Sequence, residues 1–132
     1  MLLKARESSL ANIRPILMEF GLTEQQWRVL RVLARSDQMS AQDLANESCI
    51  LSPSLSRILV RLEGDGLISR RVDNIDQRAL NLKLSAKGRR LHNKIEPLIE
   101  RQYQQFSQSF GPDTLVNLME ILREFTTAES RH

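Results

Sequence analysis

Between Asp76 and Gly88 the chain reads Asp-Gln-Arg-Ala-Leu-Asn-Leu-Lys-Leu-Ser-Ala-Lys-Gly, a run that few local structures accommodate. Leu80, Leu82 and Leu84 alternate with Asn81 and Lys83. An extended strand here therefore has one apolar face, and one polar face able to meet an anion. Asp73-Asn74-Ile75-Asp76-Gln77 just before it is rich in turn formers, and residues 67–72 pattern as an outgoing strand. The two strands predict a β-hairpin, and Ser85 at its end is placed to cap a following helix.

Upstream of the hairpin, Ser52-Pro53 combines a capping residue with proline at the first helical position, two start signals that agree. Leu55, Ile58, Leu59 and Leu62 recur at helical spacing and predict a buried stripe, with Ser54, Arg57 and Arg61 on the opposite side. Gly64-Asp65-Gly66 ends this helix, Gly66 being the expected left-handed residue. Charge follows the same boundary. Residues 52–94 hold ten Lys/Arg against four Asp/Glu, a net +6 in a chain whose total is +3, so the flanks together carry −3. A basic helix followed by a basic hairpin is the layout of a winged helix-turn-helix, and a basic middle between acidic flanks points to a polyanion at one face.

The remaining segments complete a mainly α chain with a small β-wing. Residues 2–20 are amphipathic, with Leu3, Leu10, Ile13, Ile16, Leu17 and Phe20 apolar, and Pro15 is expected to kink or tighten that helix. Thr23-Glu24-Gln25-Gln26 matches a capping box for a helix to about Arg35, with Trp27, Leu30 and Leu33 or Ala34 on its stripe. Met39 fits a short extended piece, Ser40 a helix cap with Asp43 in the first turn, and residues 47–51 a turn. From Ser85 a long helix is expected to about Phe110, with Leu91, Ile95, Leu98, Ile99, Tyr103, Phe106 and Phe110 on its stripe and a bend at Pro97. Gly111-Pro112 precedes a last helix with Leu115, Leu118, Leu122 and Phe125 at three-four spacing. One domain of 132 residues is expected, with a winged-helix lobe at 23–88 and helices at 1–20 and 89–128 whose apolar faces predict dimerisation.

Several function classes are disfavoured. No segment approaches the roughly 18 uncharged apolar residues of a membrane span, and the charged first residues do not read as a secretory signal, so a cytoplasmic location is expected. A single cysteine, Cys49, permits no internal disulfide. There is one interior histidine, no glycine-rich phosphate loop and no metal-ligand cluster. The chain is therefore expected to be no enzyme and to need no cofactor.

The motifs Asp76-x-Arg78, the alternating leucines with Leu84-Ser85-x-x-Gly88, and Leu62-Glu63-x-Asp65-Gly66-Leu67-Ile68 together resemble the MarR family of bacterial transcription regulators, over nearly the whole chain. Ile13-Arg14-Pro15-Ile16, Leu22-Thr23-Glu24-Gln25-Gln26-Trp27-Arg28 and Cys49-Ile50-Leu51-x-Pro53-Ser54-Leu55 are similar to a branch of that family that represses homoprotocatechuate (hydroxyphenylacetate) degradation operons. The resemblance implies a homodimer, double-stranded operator DNA as partner, and release by a small aromatic acid.

On this reading Arg78, held by Asp76 at the wing tip, enters a minor groove or grips a phosphate; the plainer alternative is a surface pair that stiffens the hairpin. Arg57 is expected at a base edge and Arg61 at a phosphate, against solvated helix-face charges. Ser52, Pro53, Ser54 and Ser56 lie at the amino end where base edges are approached, Ser52 first of all as a cap. Arg14 is the candidate ligand anchor beside Trp27, with an intersubunit salt bridge or an exposed charge as the alternative for Arg14 and core packing for Trp27. Cys49 reads as a small buried turn residue and His92 as an ordinary surface or interface residue. Two rival functions stay open: a constitutive or architectural DNA binder without a ligand switch, and a winged-helix protein–protein module.

Overall fold

The computed structural model describes residues 1–72 and 80–129. They form α1 (Leu2–Leu10), α2 (Arg14–Glu19), α3 (Glu24–Ala34), β1 (Met39–Ser40), α4 (Ala41–Ser48), α5 (Ser52–Gly64), β2 (Ile68–Val72), β3 (Leu80–Leu84), α6 (Ala86–Gln108) and α7 (Pro112–Glu129). The chain divides into two compact units, Met1–Leu98 and Ile99–His132.

In the first unit the capping signals act where the sequence places them. Thr23 accepts from the Gln26 amide at 3.1 Å while the Gln26 side chain accepts from the Thr23 amide at 3.0 Å, closing the capping box of α3. Ser40 accepts from the Asp43 amide and starts α4. The amino-terminal segment, expected as one kinked helix, is two helices separated by residues 11–13. Pro15 has no N–H to donate to the carbonyl of Ala11 and its ring crowds that carbonyl, so the helix ends and restarts with proline in the first turn of α2.

The sheet has the order β1-β3-β2, antiparallel throughout, with Met39 opposite Leu82 and Ile68 opposite Leu84. This register puts Ile68, Leu82 and Leu84 into the core with Leu30, Leu33, Leu44, Leu55 and Leu62. Arg71 and Lys83 are exposed on the other face. The junction of wing and helix is tight. Ser85 Oγ donates to the Gly66 carbonyl at 2.6 Å and accepts from the Gly88 amide at 3.0 Å. Gly66 takes the left-handed conformation, φ +75°, and a Cβ on Gly88 would lie 2.0 Å from the Leu67 carbonyl oxygen. The spacing Ser85-x-x-Gly88 thus serves a cap and a close backbone approach at once.

The inward stripe of α6 in this unit is Gly88, His92 and Ile95: Ile95 is buried as expected, whereas His92 takes the inward place expected of Leu91, which is half-buried. Pro97 lies inside α6, which continues as a helix on both sides of it. In the second unit Phe106 and Phe110 meet edge to face at 5.0 Å, and Gly111 with φ +81° separates α6 from α7. Val116, Leu118, Met119, Ile121 and Phe125 of α7 are all exposed.

Candidate nucleic-acid interface

α4 and α5 are joined by three residues, Cys49-Ile50-Leu51. Cys49 takes the left-handed conformation, φ 56°, which ends α4. That conformation turns its side chain out, so the thiol is exposed rather than buried as expected. Ile50 is buried beneath the turn and Leu51, with an extended backbone, holds the cap position of α5. The expected cap, Ser52, is instead the first helical residue: its carbonyl accepts from Ser56 Oγ at 3.0 Å. The first turn of α5 therefore has no side-chain cap. Its open amide groups make the positive end of the helix dipole available to an anion.

Leu55, Ile58, Leu59 and Leu62 anchor α5 in the core, which leaves Ser52, Pro53, Ser54, Ser56, Arg57 and Arg61 on the solvent side. Arg57 has neither an ion pair nor a side-chain hydrogen bond among the described residues. Arg61 Nε lies 3.2 Å from Asp65 Oδ2, an exposed pair worth little in water and readily exchanged for a phosphate. Glu63 points the other way, to Arg70 on the inner face of β2. Asp76 and Arg78 lie outside the described residues, so the candidate interface here comprises α5 and the basic outer face of the hairpin.

At the end of α4 lies a charge network that sequence reasoning missed. Arg28 on α3 donates to Glu24 through Nε at 2.9 Å and Nη2 at 2.6 Å, and through Nη1 to the Ser48 carbonyl at 2.8 Å. Arg6 of α1 donates to the same Glu24 at 3.1 Å. The hydrogen bonds from Arg28 to Glu24 hold the guanidinium pKa above its ordinary value, against the effect of burial. The i, i+4 spacing of Glu24 and Arg28 is legible in the sequence, whereas the third bond to Ser48 is tertiary.

The candidate ligand residues are not brought together. Arg14 is exposed and bound in a fork to Glu7 of its own chain, Nη1–Oε2 2.7 Å and Nη2–Oε1 3.1 Å, an exposed pair within one subunit. That hydrogen bonding holds the Glu7 carboxyl below its ordinary pKa. Trp27 is buried and stacks on His92, ring centres 5.2 Å apart and planes 14° from parallel. His92 is thus a core residue at 5% exposure, not a surface one, with Nδ1 3.2 Å from Asn93 Oδ1 and 3.8 Å from Glu96 Oε2. The indole Nε1 of Trp27 is buried without a hydrogen-bond partner among the described residues. One helical turn further along α3, Arg31 is half-buried and has no ion pair among them. Among the described residues no group of three or more His, Cys, Asp or Glu could hold a metal ion, and no helix is long and apolar enough to cross a membrane.

Two helices joined by a short turn, the second with an outward polar face, followed by an antiparallel hairpin, define a winged helix-turn-helix. The MarR family model matches residues 22–80. The homoprotocatechuate degradative operon repressor of Escherichia coli is 44% identical over 124 residues, 94% of this chain and 84% of that protein. The chain belongs to the MarR family. Among solved structures, NadR in complex with 4-hydroxyphenylacetate is 40% identical with a TM-score of 0.82, covering 94% of this chain and 88% of that one. Ligand-free NadR is 38% identical with a TM-score of 0.89, covering 98% and 93%.

Proposed function

We propose that the protein is a cytoplasmic, dimeric, sequence-specific transcriptional repressor that a small phenolic carboxylate releases from its operator. The observation that carries this reading is the outward face of α5, where an uncapped helix start, three serines and an Arg57 with no ion pair among the described residues precede a basic hairpin. In it, Arg57 reads a base edge, Arg61 grips a phosphate, Ser52, Pro53, Ser54 and Ser56 approach base edges at the amino end of the helix, and Arg78 with Asp76 carries the wing tip into the minor groove. The lobe at 23–88 reads DNA, and the helices at 1–20 and 89–128 dimerise through apolar faces such as that of α7.

The effector is an aromatic acid of the hydroxyphenylacetate kind, and the genes controlled serve its degradation. The likeness to an operon repressor of that pathway and to a 4-hydroxyphenylacetate complex supports this. Trp27 offers the aromatic surface and an unused indole N–H. Arg31, half-buried and without an ion pair among the described residues, is better placed to anchor a carboxylate than Arg14, which would first have to leave Glu7. The ligand acts by favouring a spacing of the two recognition helices that mismatches the half-sites, and its effect is bounded by its differential affinity for the two states.

The test is fluorescence anisotropy with DNA from immediately upstream of the protein's own gene, against a scrambled duplex at the same salt. The reading predicts selective binding, and a loss of about 1–3 kcal/mol with relaxed selectivity in Arg57→Ala. Equal binding to both duplexes with a steep salt dependence would mark an architectural binder; weak binding to both would mark a protein–protein module.

A further inference from the structure

The outward face of α5 is not uniformly polar. Leu51, at the cap position, is 80% exposed, and Val60 is 66% exposed. The helical repeat puts Val60 on the stripe of Pro53 and Arg57, opposite the buried Leu55, Ile58, Leu59 and Leu62. Leu51 shares its surface with Ala45, Asn46, Cys49, Ile50 and Ser52, none of them charged, and Val60 follows Ser56 and Arg57 on the solvent side of the helix. Of the acids at the end of the helix, Glu63 pairs with Arg70 on the hairpin and Asp65 with Arg61 on this same face.

A single exposed leucine or valine is ordinary on a protein surface. Here, however, Val60 lies one turn beyond Arg57 on the same stripe and Leu51 lies just before the start of the same helix, whose outward charge complements duplex DNA. An apolar side chain gains nothing from phosphates, and the apolar group that a major groove offers is the 5-methyl of thymine. We propose that Leu51 and Val60 read thymine methyl groups in the major groove, fixing thymine at two positions of each operator half-site. The proposal rests on the DNA-reading function above and adds to it the base class that these two residues select. Nine residues separate them, about 13 Å along a helix at 1.5 Å per residue, so they meet different base pairs.

The test uses duplexes selected by the full-length protein from a random library. Each thymine of the half-site is replaced in turn by deoxyuridine, which removes the methyl group and leaves every hydrogen-bonding edge intact. One such replacement should weaken wild-type binding about fourfold, the value of one buried methyl. Leu51→Ala should already bind more weakly and be indifferent to replacement at that thymine, and Val60→Ala should behave likewise at a second thymine. Both side chains are exposed, so thermal melting should be unchanged. Selective binding without any sensitivity to thymine methyls, or with the same sensitivity in both variants, overturns this assignment and leaves DNA reading standing. Failure to select any duplex overturns the proposed function, and this inference with it. A shift in oligomeric mass in either variant by sedimentation overturns it in favour of a second copy of the chain on this face.

Discussion

Arg28 of α3 donates to the backbone carbonyl of Ser48 at 2.8 Å, so the residue that ends α4 is held by a side chain from the preceding helix. The same guanidinium is clamped by Glu24, and Glu24 also accepts from Arg6 of α1. One carboxylate therefore links the amino-terminal helix, α3 and the turn that leads into α5. Removing Arg28 frees the Ser48 carbonyl and leaves Glu24 with Arg6 alone. Arg28→Ala should cost about 1–2 kcal/mol of folding stability, partial exposure keeping the loss at the low end for charged hydrogen bonds. Arg28→Lys should recover little, because an ammonium cannot fork to both Glu24 oxygens and still reach Ser48. Urea denaturation checks this, and a lysine variant as stable as the wild type would contradict it.

Gly88 and Gly64 should respond with opposite signs. A Cβ at Gly88 would sit 2.0 Å from the Leu67 carbonyl oxygen, where only backbone movement could relieve it. Gly88→Ala should therefore lose about 1–3 kcal/mol or more and disturb the junction of wing and α6. A Cβ at Gly64 meets nothing within 4 Å, so Gly64→Ala should gain about 0.5–1 kcal/mol by restricting the unfolded chain. Thermal melts of the two variants side by side decide it.

Trp27 is the single tryptophan, so its fluorescence reports its surroundings without interference. Titration with 4-hydroxyphenylacetate should change the emission saturably. Arg31→Ala should weaken that titration at least tenfold while operator binding persists, whereas Arg14→Ala should leave it near wild type. The reverse ranking would restore Arg14 as the anchor.

The apolar residues of α7 should be buried by a second copy. Burying a side chain of this size contributes roughly 1.5–3 kcal/mol, so Ile121→Asp should raise the dimer dissociation constant at least tenfold. Sedimentation across a concentration series measures it. A wild-type chain that sediments as a monomer throughout would remove the premise.

The parts of this fold legible in the sequence are those set by local chemistry. The alternating leucines of β3, the Thr23–Gln26 box, the Ser40 and Ser85 caps and the left-handed Gly66 each follow from a few neighbouring residues. The misreadings arose where local signals competed or the answer was tertiary. Ser52 and Pro53 both mark a helix start, and the helix took Ser52 as its first residue, giving the cap position to Leu51. His92 and Leu91 compete for the inward side of α6; packing against Trp27 fixes the phase, which periodicity alone does not. Cys49 is small and apolar, but its left-handed backbone turns it outward. The outward face of α5 was legible because its complement, the buried stripe, was unambiguous. The bond from Arg28 to Ser48 spans twenty residues and left no trace in the local pattern.

The account stands or falls on linkage between acid and operator. The direct measurement is the dissociation constant of 4-hydroxyphenylacetate for the free protein and for the protein–operator complex, with the operator's own affinity measured with and without saturating acid. A releasing ligand must bind the complex more weakly than the free protein, by the same factor by which it weakens operator binding. The account predicts those two factors equal and at least fivefold. Equal affinity of the acid for free and operator-bound protein would contradict it.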